Sequence, residues 1–338
     1  MTKLTIYKNR IKHNLEIINS LSKNNIYILK DNAYGMGIEN IAKVISKLGF
    51  KYYGVSTVDE ALKIRKNVKD ARILILSVIE PKDLKKAKEY DLEISLSSVE
   101  ILKEYLKFTN INLFNIPVHI KINTGLNRLG FNIDELNVLN NFNLNIKSIY
   151  SHLADVNNKD RTKKQIENFE KAISKTKIKK AHLLATPGLF KFKDKYLYDY
   201  CRVGMSIYGL NEDMGLVNAF ALMTKIIAVR NIKKGEYILY SSDYIAKKDM
   251  TVAIIPVGYS HGNIFYNHVM INNKRAKILA KPCMDMSVID ISGIKVNLFD
   301  DVYIIGNGIT VNMIAKKYKT IPDEIVTSIS TDIERVVK

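Results

Sequence analysis

Several features that would narrow the class of this protein at once are scarce in its sequence. The 338 residues include no tryptophan, six prolines and two cysteines. Cys201 and Cys283 lie far apart, which excludes a disulfide framework and a cysteine metal spacing and suits a reducing compartment. No uninterrupted apolar run approaches membrane-spanning length. The start, Met1-Thr-Lys-Leu-Thr-Ile-Tyr-Lys8, lacks the apolar core of a secretory leader. The expectation is therefore a cytoplasmic protein with no membrane partner and no bound metal. Acidic residues are outnumbered by basic ones, 34 to 52, for a formal charge of +18. The lysines are scattered, with no basic tail and no nucleic-acid motif, so nucleic acid is not an expected partner. A generally positive surface still attracts small anions.

What is present is a regular alternation. Short apolar runs of strand length recur at Ile26–Leu29, Tyr52–Ser56, Arg72–Val78, Leu92–Leu96, Pro117–Asn123, Ile146–His152, His182–Thr186 and Arg202–Tyr208. Helically spaced segments such as Ile38–Phe50, Val99–Phe108 and Lys159–Ile173 fall between them. Eight strands in about the first 215 residues fit a (β/α)8 TIM-type barrel, with a doubly wound open sheet as the alternative, because periodicity does not reveal closure. From about residue 216 the texture changes to short β-rich runs separated by Gly, Asn, Asp and Lys turns, with one clear helix at Val311–Tyr318. The expected division is residues 1–215 as the barrel and 216–338 as a mostly β C-terminal domain, with residues 1–8 able to join the latter.

The chain is organised around Ile26-Tyr-Ile-Leu-Lys-Asp-Asn-Ala-Tyr-Gly-Met-Gly37, a buried-strand run that ends in Lys30 and a glycine-punctuated turn. A lysine at the C-terminal end of a barrel strand stands where such folds carry chemistry, and desolvation there would free its amine to attack a carbonyl. On this stretch alone, a lysine leaving a strand for solvent is the preferred reading of Lys30. At the C-terminal ends of the other proposed strands lie Lys121, Arg128, His152, Thr186, Arg202 and Gly204. These cations, hydroxyls and glycine amides suit an anionic ligand.

At these positions the chain resembles the alanine racemase family. The resemblance is carried by Leu29-Lys-Asp-Asn-Ala-Tyr-Gly-Met-Gly37, His119-Ile-Lys-Ile-Asn-Thr-Gly-Leu-Asn-Arg-Leu-Gly130, Ser151-His-Leu-Ala-Asp155 and Arg202-Val-Gly-Met-Ser-Ile-Tyr-Gly209. It continues through Leu239-Tyr-Ser-Ser-Asp-Tyr244, Ile255-Pro-Val-Gly-Tyr259 and Cys283-Met-Asp285, in family order. The resemblance implies a barrel that binds pyridoxal 5′-phosphate, a β domain, and a homodimer whose active sites are shared across the interface. It assigns Lys30 and Tyr240 as acid/base groups on opposite faces of the substrate α-carbon, Tyr240 coming from the second subunit. It gives Tyr34, Thr186, Gly204 and Met205 to the cofactor phosphate and Arg202 to the pyridine nitrogen. It puts Arg128, Tyr259 and Met284 near the substrate, and makes Lys121 a candidate for carbamylation. His152 and Arg202 are the neighbours expected to favour the phenolate of Tyr240, since a phenol near pKa ~10 is a poor base at neutral pH.

Each of these side chains also has an ordinary structural reading: core aromatics for the tyrosines, a hydrogen-bonded structural histidine for His152, a surface cation for Arg128, core packing for Met284. The pattern departs from the family at Asn123 (usually Asp), Met36 (His), Ser241 (Gly) and His261 (Asp). Thr331 and Asp332 stand where a Tyr-Arg pair is usual, which implies a more polar entrance. The expected activity is interconversion of L- and D-alanine, supplying D-alanine for peptidoglycan. The alternatives are a racemase acting on serine or lysine and a non-catalytic pyridoxal-phosphate carrier.

Overall fold

The computed structural model describes residues 1–108, 115–211, 214–240 and 244–338. Strand β1 (Lys3–Ile6) is followed by the eight short strands β2 (Asn25–Ile28), β3 (Tyr52–Val55), β4 (Arg72–Ile75), β5 (Glu93–Leu96), β6 (Pro117–Lys121), β7 (Asn145–Tyr150), β8 (Ala181–His182) and β9 (Cys201–Val203). β2 to β9 form one parallel sheet in the order β8-β7-β6-β5-β4-β3-β2-β9. The two ends of that order meet. Ala185 bridges Arg202 in parallel register, and the Arg202 N–H donates to the Leu184 carbonyl at 3.0 Å. The sheet is therefore a barrel, and the open doubly wound alternative falls. β2, β3 and β5 are buried along their whole length, as strands flanked by helices outside and side-chain layers inside must be.

The second sheet gathers β10 (Phe220–Lys225), β11 (Ala228–Ile232), β12 (Met250–Ile255), β13 (His268–Ile271), β14 (Lys274–Leu279), β15 (Ser287–Asp290), β16 (Asp301–Ile305) and β17 (Glu334–Val337). Its order is β11-β12-β15-β14-β13-β16-β10-β1-β17, so the N-terminal β1 lies in this sheet, antiparallel to β10 and parallel to β17. The chain thus starts in one unit, crosses to build the barrel, and returns.

Several boundaries differ from the periodicity reading. Periodicity gives one strand over Phe220–Val229, another over Tyr237–Tyr240 and a helix over Ile133–Asn141. The first is split into β10 and β11, the second is a single bridge from Tyr237 to Ile245 among the described residues, and the third is a 3-10 turn at Glu135–Asn141. Thr186 does not end a strand but opens the helix Thr186–Tyr196, because Pro187 prefers the first turn of a helix. Helix Val311–Tyr318 is present, capped by the Thr310 hydroxyl accepting from the Met313 N–H. It is followed by an unexpected helix, Pro322–Thr327. Among the described residues, no helix is long and apolar enough to cross a membrane.

Candidate active site

A cavity of about 500 Å³ opens at the C-terminal ends of the barrel strands. Lys30, Tyr34, Lys121, Arg128, His152, Thr186, Arg202, Gly204 and Met205 all line it. These nine sequence-predicted residues come from far-apart segments that the barrel closes into one wall.

The turn after β2 is the most constrained backbone in the site. Asp31, Asn32, Ala33 and Tyr34 have φ between +53° and +56°, one turn of left-handed helix, closed by Ala33 N–H to the Leu29 carbonyl at 2.9 Å. Such residues cost about 1–2 kcal/mol each. Compensating contacts come from both domains. Asn32 donates its N–H to Glu60 at 3.1 Å, and its side-chain oxygen accepts from the Ile38 N–H at 2.9 Å. From the β domain, Arg335 Nε donates to the Gly35 carbonyl at 3.1 Å. Gly35, at φ +78°, fits only as glycine, since a Cβ would stand 2.4 Å from the Val326 carbonyl oxygen.

This turn throws Lys30 and Tyr34 toward the cavity. Lys30 is not desolvated as expected. Its side chain is 42% exposed and its Nζ lies 3.6 Å from the Asp31 carboxylate, because the left-handed turn brings the next residue back beside it. Tyr34 is buried, and its hydroxyl occupies the space beside Gly204, where a Cβ would come within 2.4 Å of it. Next to them, the hydroxyls of Thr186 and Ser206 are 2.5 Å apart. Two hydroxyls, a tyrosine and a bare backbone form a cradle at the openings of β8 and β9.

Arg202 is buried beneath this cradle with no carboxylate partner among the described residues. Nη1 donates to His182 Nδ1 at 2.7 Å and to the His182 carbonyl at 3.2 Å. Nη2 donates to the Ser151 carbonyl at 2.6 Å, the Leu183 carbonyl at 2.9 Å and His152 Nδ1 at 3.2 Å. Both imidazoles therefore present a lone pair at Nδ1. Burial, reinforced by the guanidinium, pushes His152 down to about 3 and His182 well below the usual histidine range. Of the two neighbours expected beside Tyr240, His152 is therefore a neutral hydrogen-bonding group and Arg202 the cation.

The same polarity continues down the barrel axis. His182 Nε2 lies 3.0 Å from Ser148 Oγ, which lies 2.6 Å from His119 Nδ1. His119 Nε2 reaches Glu93 at 2.9 Å. Burial opposes ionisation of Glu93, but His119, Arg72 and Tyr52 together hold its carboxyl down to about 2.

Lys121 is buried on the barrel wall, and burial followed by Arg128 and Arg202 pushes its amine down to about 8. Arg128 is exposed at the cavity rim, on a turn organised by Asn123, whose side-chain oxygen accepts from the N–H groups of Gly125 and Asn127 at 3.2 and 3.0 Å.

Three predicted residues do not line this cavity. Tyr240, Tyr259 and Met284 are 77%, 55% and 57% exposed on the β domain. Tyr259 and Met284 are neighbours, through the Tyr259 N–H to the Cys283 carbonyl at 3.0 Å and the Ser260 N–H to the Met284 carbonyl at 3.1 Å. The Ser330 N–H joins the His261 carbonyl at 3.1 Å, bringing the exposed Thr331–Asp332 segment to the same face. Ser241 lies outside the described residues. Met36 is fully buried.

Sequence reasoning missed Tyr150, His182, Ser206 and Asp323. The two-residue alternation that puts His152 at a strand end also turns Tyr150 inward, and Tyr150 stacks on His182 with centroids 4.7 Å apart. Asp323 is the one carboxylate among the described residues lining the cavity, and burial raises its carboxyl above the usual range. Its helix carries no sequence signal of a site.

The family profile of the alanine racemase N-terminal domain matches residues 6–212, and that of the C-terminal domain matches residues 219–337. An alanine racemase of Fusobacterium nucleatum is 30% identical, with 100% of this chain and 98% of the relative covered. The crystal structure of an alanine racemase from E. faecalis superposes with a TM-score of 0.92 at 25% identity, covering 100% of this chain and 98% of that one. A histidine racemase from Leuconostoc mesenteroides shares the fold, with a TM-score of 0.89 at 22% identity over 100% of this chain and 98% of that one.

Proposed function

The chain belongs to the alanine racemase family, whose members are amino-acid isomerases, and on that premise we propose that it interconverts L- and D-alanine with bound pyridoxal 5′-phosphate. The observation that carries this reading is the convergence on one cavity of Lys30, Tyr34, Thr186, Gly204 and a buried Arg202 that no carboxylate partners among the described residues. These residues fit the cofactor. Lys30 offers an amine for its aldehyde, and Tyr34, Thr186, Gly204 and Met205 offer hydroxyls and backbone N–H groups for its phosphate. Once bound, pyridoxal phosphate acidifies the α-hydrogen of an amino acid joined to it.

The chain's own groups then determine the outcome. Lys30 holds or releases a proton on one face of the α-carbon, and Tyr240 does so on the other. Arg202 keeps its proton, since guanidinium does not surrender it, so it donates a hydrogen bond toward the ring and provides no acid. A carboxylate there would favour chemistry through longer-lived carbanions. Arg128 at the rim suits the substrate carboxylate. Lys121, buried and readily deprotonated, suits carbamylation, which would replace a repelling cation beside Arg128 with an anion.

Exposure of Tyr240, Tyr259 and Met284 supports a homodimer in which these residues complete the partner's cavity. In this reading residues 1–215 are the barrel domain, apart from β1, and residues 216–338 the β domain. The enzyme is cytoplasmic, and its D-alanine serves peptidoglycan synthesis.

A second reading keeps the mechanism and changes the substrate. Thr331 and Asp332 are exposed beside the Tyr259 turn, in place of the family's Tyr-Arg pair, which favours a wider entrance admitting serine or lysine. A chiral assay of the full chain with pyridoxal phosphate and separate L-alanine, L-serine and L-lysine decides between the two. Preferential formation of D-alanine supports the first. Turnover of serine or lysine instead supports the second, and Thr331→Tyr should then restore preference for alanine. Cofactor binding without racemisation would favour a carrier, and undiminished racemisation by Lys30→Ala would overturn the mechanism.

A further inference from the structure

The barrel has a second cavity, of about 510 Å³, at its opposite end. It is built from the N-terminal ends of β4, β7, β8 and β9 and the segments that lead into them, so it shares no lining residue with the candidate active site. Its composition is one-sided. Arg72, Lys147, Lys175, Lys177, Lys179 and Lys180 line it, and no carboxylate does so among the described residues. Leu136, Leu139, Leu144, Ile146 and Ile178 supply an apolar wall. None of the five lysines makes an ion pair among the described residues, although ion pairs are common elsewhere on this surface.

Two of the cations are held in place. Arg72 donates through Nε and Nη2 to Glu93 at 2.9 and 2.8 Å and lies 4.0 Å from the centre of the Tyr52 ring. Tyr52 packs edge-on against Tyr200 at 5.5 Å, and Lys180 Nζ lies 3.4 Å from the Tyr200 hydroxyl. An aromatic pair is thus flanked by an arginine and a lysine at the cavity floor. Clustered like charges repel, a cost that an anion removes, and cations in a concave site raise the local anion concentration. The cavity has the volume of a small-molecule site and an apolar wall, so inorganic phosphate alone would leave that wall unused.

We propose that this N-terminal mouth binds a small molecule that joins an anionic group to an apolar body. The anion sits among the lysines of the Lys175–Lys180 run, unpaired among the described residues, beside Arg72, whose charge Glu93 already meets, and the body lies against the leucines and isoleucines.

The test uses the full-length protein carrying pyridoxal phosphate, dialysed free of excess, with 1-naphthyl phosphate as the probe in calorimetric titration. The expected result is saturable binding that weakens at least about tenfold in Lys177→Glu/Lys179→Glu and on raising salt from about 50 to about 300 mM. 1-Naphthol and inorganic phosphate should each bind at least about tenfold more weakly than the probe, since each lacks half of the recognised chemistry. Ile178→Ser is the second variant, and it should weaken the probe while leaving inorganic phosphate unchanged. Equal affinity in wild type and the double variant would overturn the proposal, as would displacement of the probe by L-alanine or non-saturable uptake.

Discussion

Nη1 of Arg202 donates to Nδ1 of His182 at 2.7 Å, with both side chains buried in the barrel interior. That bond fixes the histidine's other proton on Nε2, which faces Ser148 at 3.0 Å. A chain of hydrogen bonds then runs through Ser148 and His119 to Glu93, whose carboxylate is itself paired with Arg72. Among the described residues, no carboxylate pairs with Arg202. A facing carboxylate would cancel the guanidinium charge at the wall of the cavity proposed to hold an anionic ligand.

His182→Phe tests this arrangement. The phenyl ring preserves the stacking on Tyr150 but removes the acceptor for Arg202 and the donor to Ser148. Losing partners at buried polar groups costs about 1–3 kcal/mol, so thermal denaturation should shift down by several degrees. The absorption band of bound pyridoxal phosphate should also move as Arg202 loses its orientation. His182→Gln, which retains an acceptor, should restore most of both. A phenylalanine variant with an unchanged cofactor band would mean that His182 does not position Arg202.

Gly204 offers a cleaner steric test. A Cβ there would stand 2.4 Å from the Tyr34 hydroxyl, and both residues line the cradle. Gly204→Ala should weaken pyridoxal-phosphate binding at least about tenfold, roughly 1.4 kcal/mol, read by equilibrium dialysis. Tyr34→Phe removes the hydroxyl that would clash. The double variant should therefore bind better than the sum of the two single losses predicts, and strict additivity would refute the contact.

Much of this site was legible because strand alternation and strand ends are sequence properties. Lys30 and His152 close apolar runs of strand length, and placing them at one end of a barrel needs only the βα repeat, whereas Arg202 opens its run and is placed by the family motif. Other features arise from closure and from contacts distant in sequence. His182 and Tyr150 meet because β7 pairs with β8, which no local pattern announces. Asp323 enters the cavity from a helix almost three hundred residues beyond Lys30, and its position depends on how the β domain packs on the Lys30 turn. The partial exposure of Lys30 was missed for a related reason: four successive left-handed residues cannot be read from Asp31-Asn-Ala-Tyr34, since Ala33 and Tyr34 do not favour that conformation.

Asp323 brings a negative charge to a cavity whose other charged lining residues, among those described, are the cations Lys30, Lys121, Arg128 and Arg202. Asp323→Asn should tighten binding of pyridoxal phosphate several-fold and leave binding of pyridoxal, which lacks the phosphate, unchanged. Because burial raises the carboxyl, wild-type affinity relative to the variant should improve as pH falls through that raised value and Asp323 gains a proton. Fluorescence titration of both proteins with both ligands across pH would show this, and equal effects on the two ligands would place Asp323 away from the phosphate.

The buried histidines predict how stability responds to acid. His152 has its folded-state value pushed down to about 3, against about 6.5 when unfolded, and His182 is also depressed. Between those values the unfolded chain binds protons that the folded one does not, so unfolding free energy must rise with pH in that window. The contribution is fully present above about 6.5 and is lost progressively as pH falls toward 3. Glu93 acts in the same direction lower down: its carboxyl is held at about 2, so its contribution is present above about 4.5 and is lost as pH falls toward 2. Urea denaturation at a series of pH values should therefore show stability falling from pH 7 to pH 4. His152→Gln should flatten that slope while lowering stability at pH 7 by less than at pH 4 is regained. If the slope between pH 7 and pH 5 is the same in the variant, His152 titrates normally in the folded protein, and its lone pair is not committed to Arg202.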